Sequence, residues 1–512
     1  MTQTSIHLQA TPRDRTVDLG DGLIMRWSTK ADSDNVAELM GEAFRWLSFL
    51  DPIPEGVIPG PSATFSSASR RLLSGKNGTM TDRDYALVED TTRPRDNKNP
   101  IVACVAMQRH RAYYGCVDDI FFGKPELIAT RPEYRNRGLV RKLLYEMIHP
   151  ESEARGDALQ FIAGIPHFYR QFGYTYAMAN YLSGKIADLS SIPALPPGKT
   201  EPFILRKATA ADIPYLVRHS TNDVSPYTSV GLKYGPEYYQ YTVADILELE
   251  QPGHNSIRDT LIVVNAATGK DVGFSIVSHM VGLKVEALVL DDSVVLKDAL
   301  YPILRQFISN EKHRLEAKKA TLSVEEAEKF STAPPYMLLQ VHPKHPITML
   351  LGSKIAPSIT GPGYRVMTRI YDYPRFIRII TPELERRLSK SPMAGLTGRL
   401  RLDFYRKVEG NNAKGLEILF EDGKIVEARE WANPGPEKTV EEYLAWKAED
   451  KVPVIYAAAF APLTFHSLLT GDRSLEELAW SFGENRVKDE ASTLLLNSLF
   501  PKVSHQIDGF FW

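Results

Sequence analysis

Residues 125–140 read PELIATRPEYRNRGLV, and three different patterns follow one another in this stretch. Residues 126–129 predict a strand, residues 131–137 a polar loop, and the apolar spacing that begins at Leu139 predicts a helix. The loop is basic, and Gly138 ends it. The first N–H groups of a helix lack intrahelical partners, and glycine has no Cβ to keep a phosphate away from the backbone. The natural ligand of this loop is therefore a pyrophosphate. The apolar face of the helix comprises Leu139, Val140, Leu143, Leu144, Met147 and Ile148.

A second strand and a turn rich in aromatic residues follow this helix. Residues 159–163 read LQFIA and predict a buried strand, and residues 164–174 read GIPHFYRQFGY. The spacing Arg-x-x-Gly alone is a weak indication, because charged loops often precede helices. The complete order of strand, phosphate loop, helix, strand and Tyr-x-x-Phe-Gly-Tyr turn resembles the coenzyme-binding core of the GCN5-related N-acetyltransferase (GNAT) superfamily. The resemblance covers roughly residues 23–185.

The resemblance implies that this part of the chain binds acetyl-CoA as a cosubstrate and needs no metal. It implies contacts from the end of the strand and from the loop. The residues concerned are Ile128, Ala129, Thr130, Arg135, Asn136, Arg137, Gly138, Leu139 and Val140. The loop departs from the superfamily pattern at its end, where a third small residue is absent and Arg141 follows Val140.

Acetyl transfer from a thioester to an amine needs an acid for the departing thiolate. Tyr169 suits this task, because a phenol with an ordinary pKa near 10 stays protonated at neutral pH and can donate to sulfur. The resemblance also implies that Tyr169 is the general acid. The alternative is an aromatic residue that only packs on the sheet. His167 lies two residues earlier and is a candidate for the acceptor pocket, or else a surface histidine.

A sequence repeat indicates two related domains. Residues 203–212 repeat residues 23–32 with five of ten positions identical, and each copy predicts a strand, a cap and a helix. The second copy has no Arg-x-x-Gly loop, and Asp291 and Asp292 follow its candidate strand, where they would repel a pyrophosphate. We read this copy as degenerate, with a structural role. The proline-rich residues 190–198 predict a linker.

The C-terminal part has a helical pattern over residues 376–388 and two alternating strands, with a hairpin turn predicted at residues 421–424. The repeat, the loop departure and this C-terminal part look like the enhanced intracellular survival (Eis) family of acetyltransferases. That resemblance implies a third domain similar to sterol carrier proteins and a homo-oligomer, commonly a hexamer. We therefore expect an α+β (mixed α/β) chain with tandem GNAT-like domains followed by a sterol-carrier-like α/β domain. The expected division is a flexible N-terminal segment (1–22), a catalytic GNAT domain (23–197), a degenerate GNAT-like domain (198–370) and the C-terminal domain (371–512).

The Eis resemblance also implies residues for the acceptor side of the reaction. It implies that the carboxylate of Trp512 folds back to the first domain and relieves the incoming ammonium of its proton through water. The alternative is that the aromatic tail only anchors the chain by burying apolar surface. Phe44 and Trp46 are candidates for the pocket that holds the amine, together with His167. Arg45 lies between Phe44 and Trp46, and its positive charge would repel a cationic acceptor. The resemblance is therefore used only to expect a primary amine as the acceptor.

Composition excludes several other classes of protein. The 512 residues carry 61 Lys plus Arg against 63 Asp plus Glu, so there is no global positive field for nucleic acid. Cys104 and Cys116 are too few for a disulfide framework and form no metal-ligand spacing, which favours a reducing, cytoplasmic location. The polar N-terminus predicts no secretion signal, and no apolar run approaches the roughly 20 residues of a membrane span.

These observations favour an acetyl-CoA-dependent N-acetyltransferase that transfers the acetyl group directly to a primary amine in a ternary complex. Two alternatives stay open. The first keeps the fold and the acyl-CoA site but uses another acyl group or another acceptor. The second is a non-catalytic protein whose C-terminal domain binds an apolar ligand and whose coenzyme site is vestigial.

Overall fold

A computed structural model gives the fold of most of the chain. It describes residues 10–45, 59–93, 99–165, 167–180, 183–219, 227–245, 258–279, 282–356, 364–405, 414–432, 439–441, 444 and 455–507. The strands are β1 Thr16–Gly20, β2 Leu23–Trp27, β3 Tyr85–Asp90, β4 Ile101–Tyr114, β5 Val117–Thr130, β6 Leu159–Ile162, β7 Thr175–Asn180, β8 Gly184–Ile186, β9 Phe203–Lys207, β10 Val230–Leu232, β11 Arg258–Asn265, β12 Asp271–Ser278, β13 Leu283–Leu290, β14 Met337–Leu339, β15 Tyr364–Arg369, β16 Gly398–Asp403, β17 Gly415–Glu421, β18 Lys424–Glu430, β19 Ile455–Ala459, β20 Arg486–Val487 and β21 His505–Gln506.

Helices cover these strands on both faces. The α-helices are α1 Ser33–Ala43, α2 Ala63–Leu73, α3 Leu139–Leu143, α4 His149–Ala154, α5 Ile213–His219, α6 Pro236–Gln240, α7 Leu296–Lys319, α8 Val324–Lys329, α9 Pro346–Leu351, α10 Tyr373–Ser389, α11 Thr464–Leu469, α12 Leu475–Ser481 and α13 Glu490–Leu499. A π-helix, Leu144–Ile148, joins α3 to α4. None of the described helices is both long enough and apolar enough to cross a membrane.

The strands form three sheets. The first has the order β1-β2-β3-β4-β5-β6-β15-β7, the second β8-β14-β13-β12-β11-β9 and the third β18-β17-β16-β19-β20. In the first sheet β5 and β6 are parallel and are connected through α3 and α4. In the second sheet β13 and β14 are parallel and are connected through α7. The mixture of parallel and antiparallel strands with helices agrees with the expected mixed α/β class.

The repeated sequence folds in the same way in both copies. In the first copy the Arg26 guanidinium donates to both carboxylate oxygens of Asp32, at 2.8 and 2.9 Å. In the second copy Arg206 binds both oxygens of Asp212, at 2.7 and 2.8 Å. Each aspartate also closes a capping box with a threonine three residues earlier. The matched residues therefore fix the same turn from strand to helix twice.

Strand pairing crosses the predicted boundaries at residues 197 and 370. Strand β15 lies in the predicted second domain, but it enters the first sheet between β6 and β7. Strand β8 lies in the predicted first domain, but it pairs with β14 of the second sheet. Periodicity predicts that a segment is a strand but not which strand it pairs with, so sequence alone could not reveal this exchange. The domain ranges as a whole stay a prediction.

The expectation that residues 1–22 are a flexible segment is wrong for residues 10–20. Strand β1 pairs with β2, and the Arg13 guanidinium is buried 2.8 Å from both Asp84 and Glu151. The backbone N–H of Thr11 also donates to Glu151, at 2.9 Å. A polar composition suggested a solvated segment, but the charged partners that bury it come from distant parts of the sequence. Residues 1–9 lie outside the described part of the chain.

The C-terminal sheet contains the predicted hairpin. Glu421 pairs with Lys424, and the two residues between them have positive φ, 48° at Asp422 and 78° at Gly423. This geometry is the one that Asp-Gly favours in two-residue hairpin turns. Helix α10 covers the same sheet and confirms the helix predicted over residues 376–388. The likeness of this domain to sterol carrier proteins stays a prediction.

A buried histidine of the second sheet makes the stability of the protein depend on pH. The two ring nitrogens of His279 lie 3.2 Å from Asp259 and 2.7 Å from Glu311, so the ring joins β11 to α7. Both nitrogens donate only in the imidazolium form. Burial alone would lower the pKa of His279, but its hydrogen bonds to the two carboxylates outweigh burial and hold the pKa above its usual 6.5.

We expect this contribution to stability to be complete below about pH 6.5 and to disappear as the pH rises through the raised value. A tenfold change in proton affinity corresponds to about 1.4 kcal/mol in the free energy of unfolding. Urea unfolding of the wild type and of His279→Gln at about pH 6 and pH 9 measures the contribution of His279 to the free energy of unfolding. The destabilisation by His279→Gln should be larger at the lower pH, and an equal loss at both values would refute the assignment.

Candidate active site

The parallel strands β5 and β6 separate after a short contact and leave an open slot between them. They pair only at Phe122 with Leu159 and at Gly123 with Gln160. Beyond Gly123, β5 continues along β4 as far as Thr130, whereas β6 continues along β15. The edge of β5 that faces β6 therefore carries backbone groups that β6 no longer pairs with, which is where an extended ligand could bind as an extra strand.

A β-bulge lies in the separated part of β5. The register with β4 shifts between Cys104 and Ala106, and Leu127 in this region has a φ of 48°. A positive φ is uncommon for a residue other than glycine, and bulges are frequent beside active sites, where they redirect a strand. No feature of the sequence predicted it. Ile128, Ala129 and Thr130 follow this bulge at the C-terminal end of β5.

The loop after β5 leads directly into α3. Arg135 donates from Nε to the carbonyl of Thr130 at 3.4 Å, which ties the loop to the end of the strand. Asn136 and Gly138 have φ values of 63° and 73°, and a Cβ added at Gly138 would meet no atom within 4 Å. The helix begins at Leu139. The backbone is therefore open to a ligand at the point where the first turn of the helix offers N–H groups.

Basic side chains surround this loop. The guanidinium of Arg137 lies over the Tyr134 ring, 4.9 Å from its centroid, and Arg93 approaches the same ring at 5.7 Å. The Tyr134 hydroxyl donates to Asp90 at 2.5 Å and so holds the ring in place. Two of the basic residues are paired with carboxylates, Arg93 with Glu133 at 3.3 Å and Arg131 with Glu42 at 2.7 Å. Sequence reasoning missed Arg93, because it lies some forty residues before the loop.

The helix after the loop carries the predicted apolar face. Among the six predicted positions, Val140 is half-buried and the others are buried. The π-helix in the middle of this face was not predicted, because the apolar spacing of the sequence is that of a regular helix. Short π-helical turns occur frequently at functional sites.

Tyr169 is buried at the end of β6. It lies in a 3₁₀ turn, Phe168–Phe172, and its ring crosses the backbone of Gly164. A Cβ added at Gly164 would lie 2.9 Å from Cε2 of the ring and 3.5 Å from the phenol oxygen. The Tyr174 ring packs against Tyr169 at a centroid distance of 6.3 Å. Glycine at position 164 therefore leaves room for the phenol against the backbone that follows β6.

Sequence reasoning missed a buried ion pair on the other face of β5. Lys124 is fully buried and contacts Glu126 through Nζ and Oε2. Gln108 lies directly opposite Lys124 on β4. Burial raises the pKa of Glu126, although Lys124 acts in the opposite direction. Lys124 stands immediately before the quoted stretch and Glu126 is its second residue, but charged side chains at alternate positions of a strand usually indicate a solvent-exposed face.

A neighbouring histidine, His110, forms a polar cluster with Lys124, Glu126 and Gln108. His110 Nε2 lies 2.9 Å from the Gln108 side-chain oxygen, and its ring is 5.7 Å from that of Phe161. Burial holds the pKa of His110 well below 6.5, and the charge of Lys124 acts in the same direction. The polar cluster therefore contains one ion pair and one uncharged imidazole at neutral pH.

Glu126 and Tyr169 lie on opposite faces of the first sheet. Tyr169 belongs to the apolar cluster of Ile162 and Met147 on the side of α3. Glu126 is paired across the sheet with Ala106, which belongs to the cluster beneath α1 and α2. A molecule lying in the slot would therefore have a carboxyl group on one side and a phenol on the other.

The predicted acceptor residues are not brought together by the described part of the structure. Phe44 is half-buried and stacks on Phe65 with ring centroids 4.5 Å apart, so it packs α1 against α2. His167 is exposed, with a φ of 60°, and its ring meets that of Tyr176 edge-on at 5.6 Å. Trp46 and Trp512 lie outside the described residues.

Within the described ranges, no group of three or more His, Cys, Asp or Glu side chains is placed to hold a metal ion.

Comparisons with known proteins agree with this geometry. Residues 82–177 match the family described as "Acetyltransferase (GNAT) domain". No curated protein matches the sequence. A GCN5-related N-acetyltransferase from Kribbella flavida has a similar structure, with 16% identity, a TM-score of 0.57 and coverage of 95% of this chain and 98% of that one. One from Anabaena variabilis has 13% identity, a TM-score of 0.57 and coverage of 95% and 99%.

Eis1 from Mycobacterium abscessus is also similar, with 11% identity, a TM-score of 0.52 and coverage of 95% of this chain and 99% of that one. At such identities the likeness shows a shared fold along nearly the whole chain. Together with the family match across β4, β5 and β6, it places a GNAT domain in the first sheet. The chain is an acyltransferase.

Proposed function

We propose that this acyltransferase moves an acetyl group from acetyl-CoA to a primary amine by direct transfer in a ternary complex. The observation that carries the proposal is the slot between β5 and β6, which has a basic loop at its end and Glu126 and Tyr169 on its two sides. A pantetheine arm has amide groups that can bind the open edge of β5 as a strand would. Its pyrophosphate would meet the N-terminus of α3 beside Arg135 and Arg137.

Glu126 is the proposed acceptor of the proton that the ammonium must lose. A catalytic base works best when its pKa lies near the working pH, and burial moves the pKa of Glu126 in that direction. The resemblance to the Eis family offers the Trp512 carboxylate for the same task. Strand β21 supports this second candidate, because it belongs to the first sheet next to β10 and runs in the same direction as β5.

Tyr169 is the proposed acid for the departing thiolate. The freed amine attacks the thioester carbonyl carbon, and a carbon–nitrogen bond forms as the carbonyl oxygen takes the negative charge. When this intermediate collapses, the carbon–sulfur bond breaks and the sulfur receives the phenol proton of Tyr169. The nitrogen then passes its surplus proton to the Tyr169 phenolate, which restores the phenol, and the proton taken up by Glu126 leaves to solvent, so the products are an amide, free coenzyme A and one proton.

The two cysteines do not support a covalent acyl-enzyme. Burial raises the pKa of the Cys104 thiol to about 12. Cys116 is exposed as a residue. Partial desolvation of its thiol, together with a hydrogen bond to Glu383, raises its pKa as well. A thiol must ionise to act as a nucleophile, so direct transfer is the better account.

Release of free thiol from acetyl-CoA in the presence of a panel of primary amines tests the proposed function. We expect release that depends on one or more amines, with the amide identified by mass spectrometry. Propionyl-CoA and longer acyl-CoA thioesters should be tested in parallel, because the other acyl groups are the closest alternative. Release at the rate of the protein-free control with every amine and every thioester would refute it.

The C-terminal domain is the part of the chain to which the second alternative assigns an apolar ligand. The C-terminal domain has a cavity of about 610 Å³ between α10 and β18. Its lining is mixed, with Arg378, Glu427 and Arg429 beside Pro374, Ile425 and Ala428, so this cavity gives the apolar-ligand alternative no specific support. A pocket for an apolar ligand is mostly lined by apolar side chains.

The proposal also includes a homo-oligomer, with a hexamer as the expected assembly, and a cytoplasmic location. Sedimentation velocity tests the expected assembly.

A further inference from the structure

Lys124 is a fully buried lysine in the wall of the proposed active site. Its ammonium group contacts Glu126 and lies 6.0 Å from the centroid of the Phe161 ring. Removing an ammonium group from water is costly, and a buried ion pair often stabilises a protein no better than apolar side chains of the same size. Apolar residues would therefore pack here at least as well. Packing alone does not account for a buried Lys124–Glu126 ion pair in β5.

The surroundings of the pair are mostly uncharged. On this face β4 contributes Gln108 and the neutral His110, β3 contributes Tyr85, and β6 contributes Phe161. Burial raises the pKa of Tyr85 well above 10, so this phenol is also uncharged. Lys124 is therefore the cation that most directly balances the Glu126 carboxylate among the described groups of this face.

The position of the pair in the strand connects it to the slot. Lys124 follows Gly123, the last residue of β5 that pairs with β6, and Glu126 precedes Leu127, where φ is positive. The pair thus spans the segment in which the two strands separate. An ion pair between positions i and i+2 of one strand also fixes the direction of both side chains, because they project from the same face.

We propose that Lys124 is a positioning residue of the transfer reaction, which keeps the Glu126 carboxylate ionised and directed along the slot so that it can accept the proton of the acceptor ammonium. This inference rests on the proposed function, in which Glu126 is the base. Burial and the cation act on Glu126 in opposite directions. Without Lys124 only burial would remain, and the carboxyl group would hold its proton up to a higher pH.

The pH dependence of kcat/KM for Lys124→Met tests this role, because methionine has a similar length and no charge. We expect the acidic limb of the profile to move upward by about one pH unit or more. Activity should recover at high pH, and the Kd for acetyl-CoA should stay within about threefold of the wild type. With the same amine for every variant, the ionisation of the acceptor cancels in the comparison. A profile that coincides with that of the wild type would overturn the inference.

Two further variants keep the test decisive if Lys124→Met is poorly folded. Lys124→Arg retains the charge, so its acidic limb should stay at the wild-type pH even if its rate is lower. The double variant Lys124→Met/Glu126→Gln removes both charges together and should have a low rate without the shifted limb. A shifted limb in Lys124→Arg, or in the double variant, would contradict the role of Lys124.

Glu126→Gln alone separates this inference from the proposed function. If Glu126→Gln keeps wild-type activity, Glu126 is not the base, and the assignment of Lys124 fails with it although acyl transfer itself stands. If Glu126→Gln is impaired but Lys124→Met has the wild-type profile, the base is retained and only the positioning role of Lys124 is refuted.

Discussion

Tyr169→Phe is expected to lower kcat by about 10²- to 10⁴-fold, the range in which general acid catalysis contributes. The phenylalanine ring can still cross Gly164 and pack against Tyr174, so only the proton donor is lost. The Kd for acetyl-CoA should therefore stay close to that of the wild type. Steady-state kinetics with the best amine of the panel, together with calorimetric binding of acetyl-CoA, measures both quantities.

Tyr145→Phe is the matched control for this prediction. Tyr145 belongs to the same group of aromatic residues, with its ring 6.0 Å from that of Phe172, and its hydroxyl donates to the Gln171 carbonyl at 3.3 Å. The same chemical change there should leave kcat within about threefold of the wild type. Equal kcat values for Tyr169→Phe and the wild type would show that Tyr169 is only a packing residue.

Glu126→Gln is expected to lower kcat/KM near neutral pH by about 10²- to 10³-fold. Glutamine has nearly the same shape, and its amide oxygen can still accept a hydrogen bond from Lys124, so the fold should persist. The loss should diminish at high pH, where a larger fraction of the amine is already neutral. Profiles of kcat/KM against pH for the two proteins measure this difference.

Glu89→Gln serves as the control, because Glu89 is a carboxylate on strand β3 of the same sheet, paired with Arg26 at 2.8 Å. It should behave like the wild type at every pH. If Glu126→Gln also behaves like the wild type while removal of Trp512 abolishes activity at neutral pH, the tail carboxylate is the base. Glu126 would then be part of the structural core only.

Local structure at the coenzyme loop could be predicted from the sequence. Residues 125–140 contain a strand, a polar loop and an apolar helix face, and these patterns depend on neighbouring residues alone. The Arg–Asp turn also follows from local residues, since Arg26 and Asp32, like Arg206 and Asp212, lie six positions apart. The hairpin at Asp422-Gly423 belongs to the same class.

Features that depend on distant partners could not be predicted. The slot exists because β6 pairs with β5 only at Leu159 and Gln160, while its other edge is held by β15, whose residues lie about two hundred positions away. Arg13 is buried because Asp84 and Glu151 meet it there. The positive φ of Leu127 goes against the preference of leucine, so local propensity argues against the conformation that the strand adopts.

Some residues of the candidate site could likewise be predicted from local sequence, and others could not. Arg135, Gly138 and Tyr169 were found because each belongs to a short motif. Lys124 and Glu126 were missed because, in a sequence, a charged residue in a strand indicates a solvent-exposed face, whereas here both side chains are buried. Their significance appears only when the slot is known to begin beside them.

Calorimetric titration of the protein with acetyl-CoA tests the central claim, that the slot between β5 and β6 is a coenzyme site. We predict one coenzyme per chain, bound with a micromolar Kd that weakens as salt is added, because Arg135 and Arg137 meet the pyrophosphate. Gly138→Val, whose side chain would occupy the open space at the loop and strain a φ of 73°, should abolish binding while the protein stays folded. The absence of binding by the wild type at millimolar acetyl-CoA, or unchanged binding by Gly138→Val, would contradict the account.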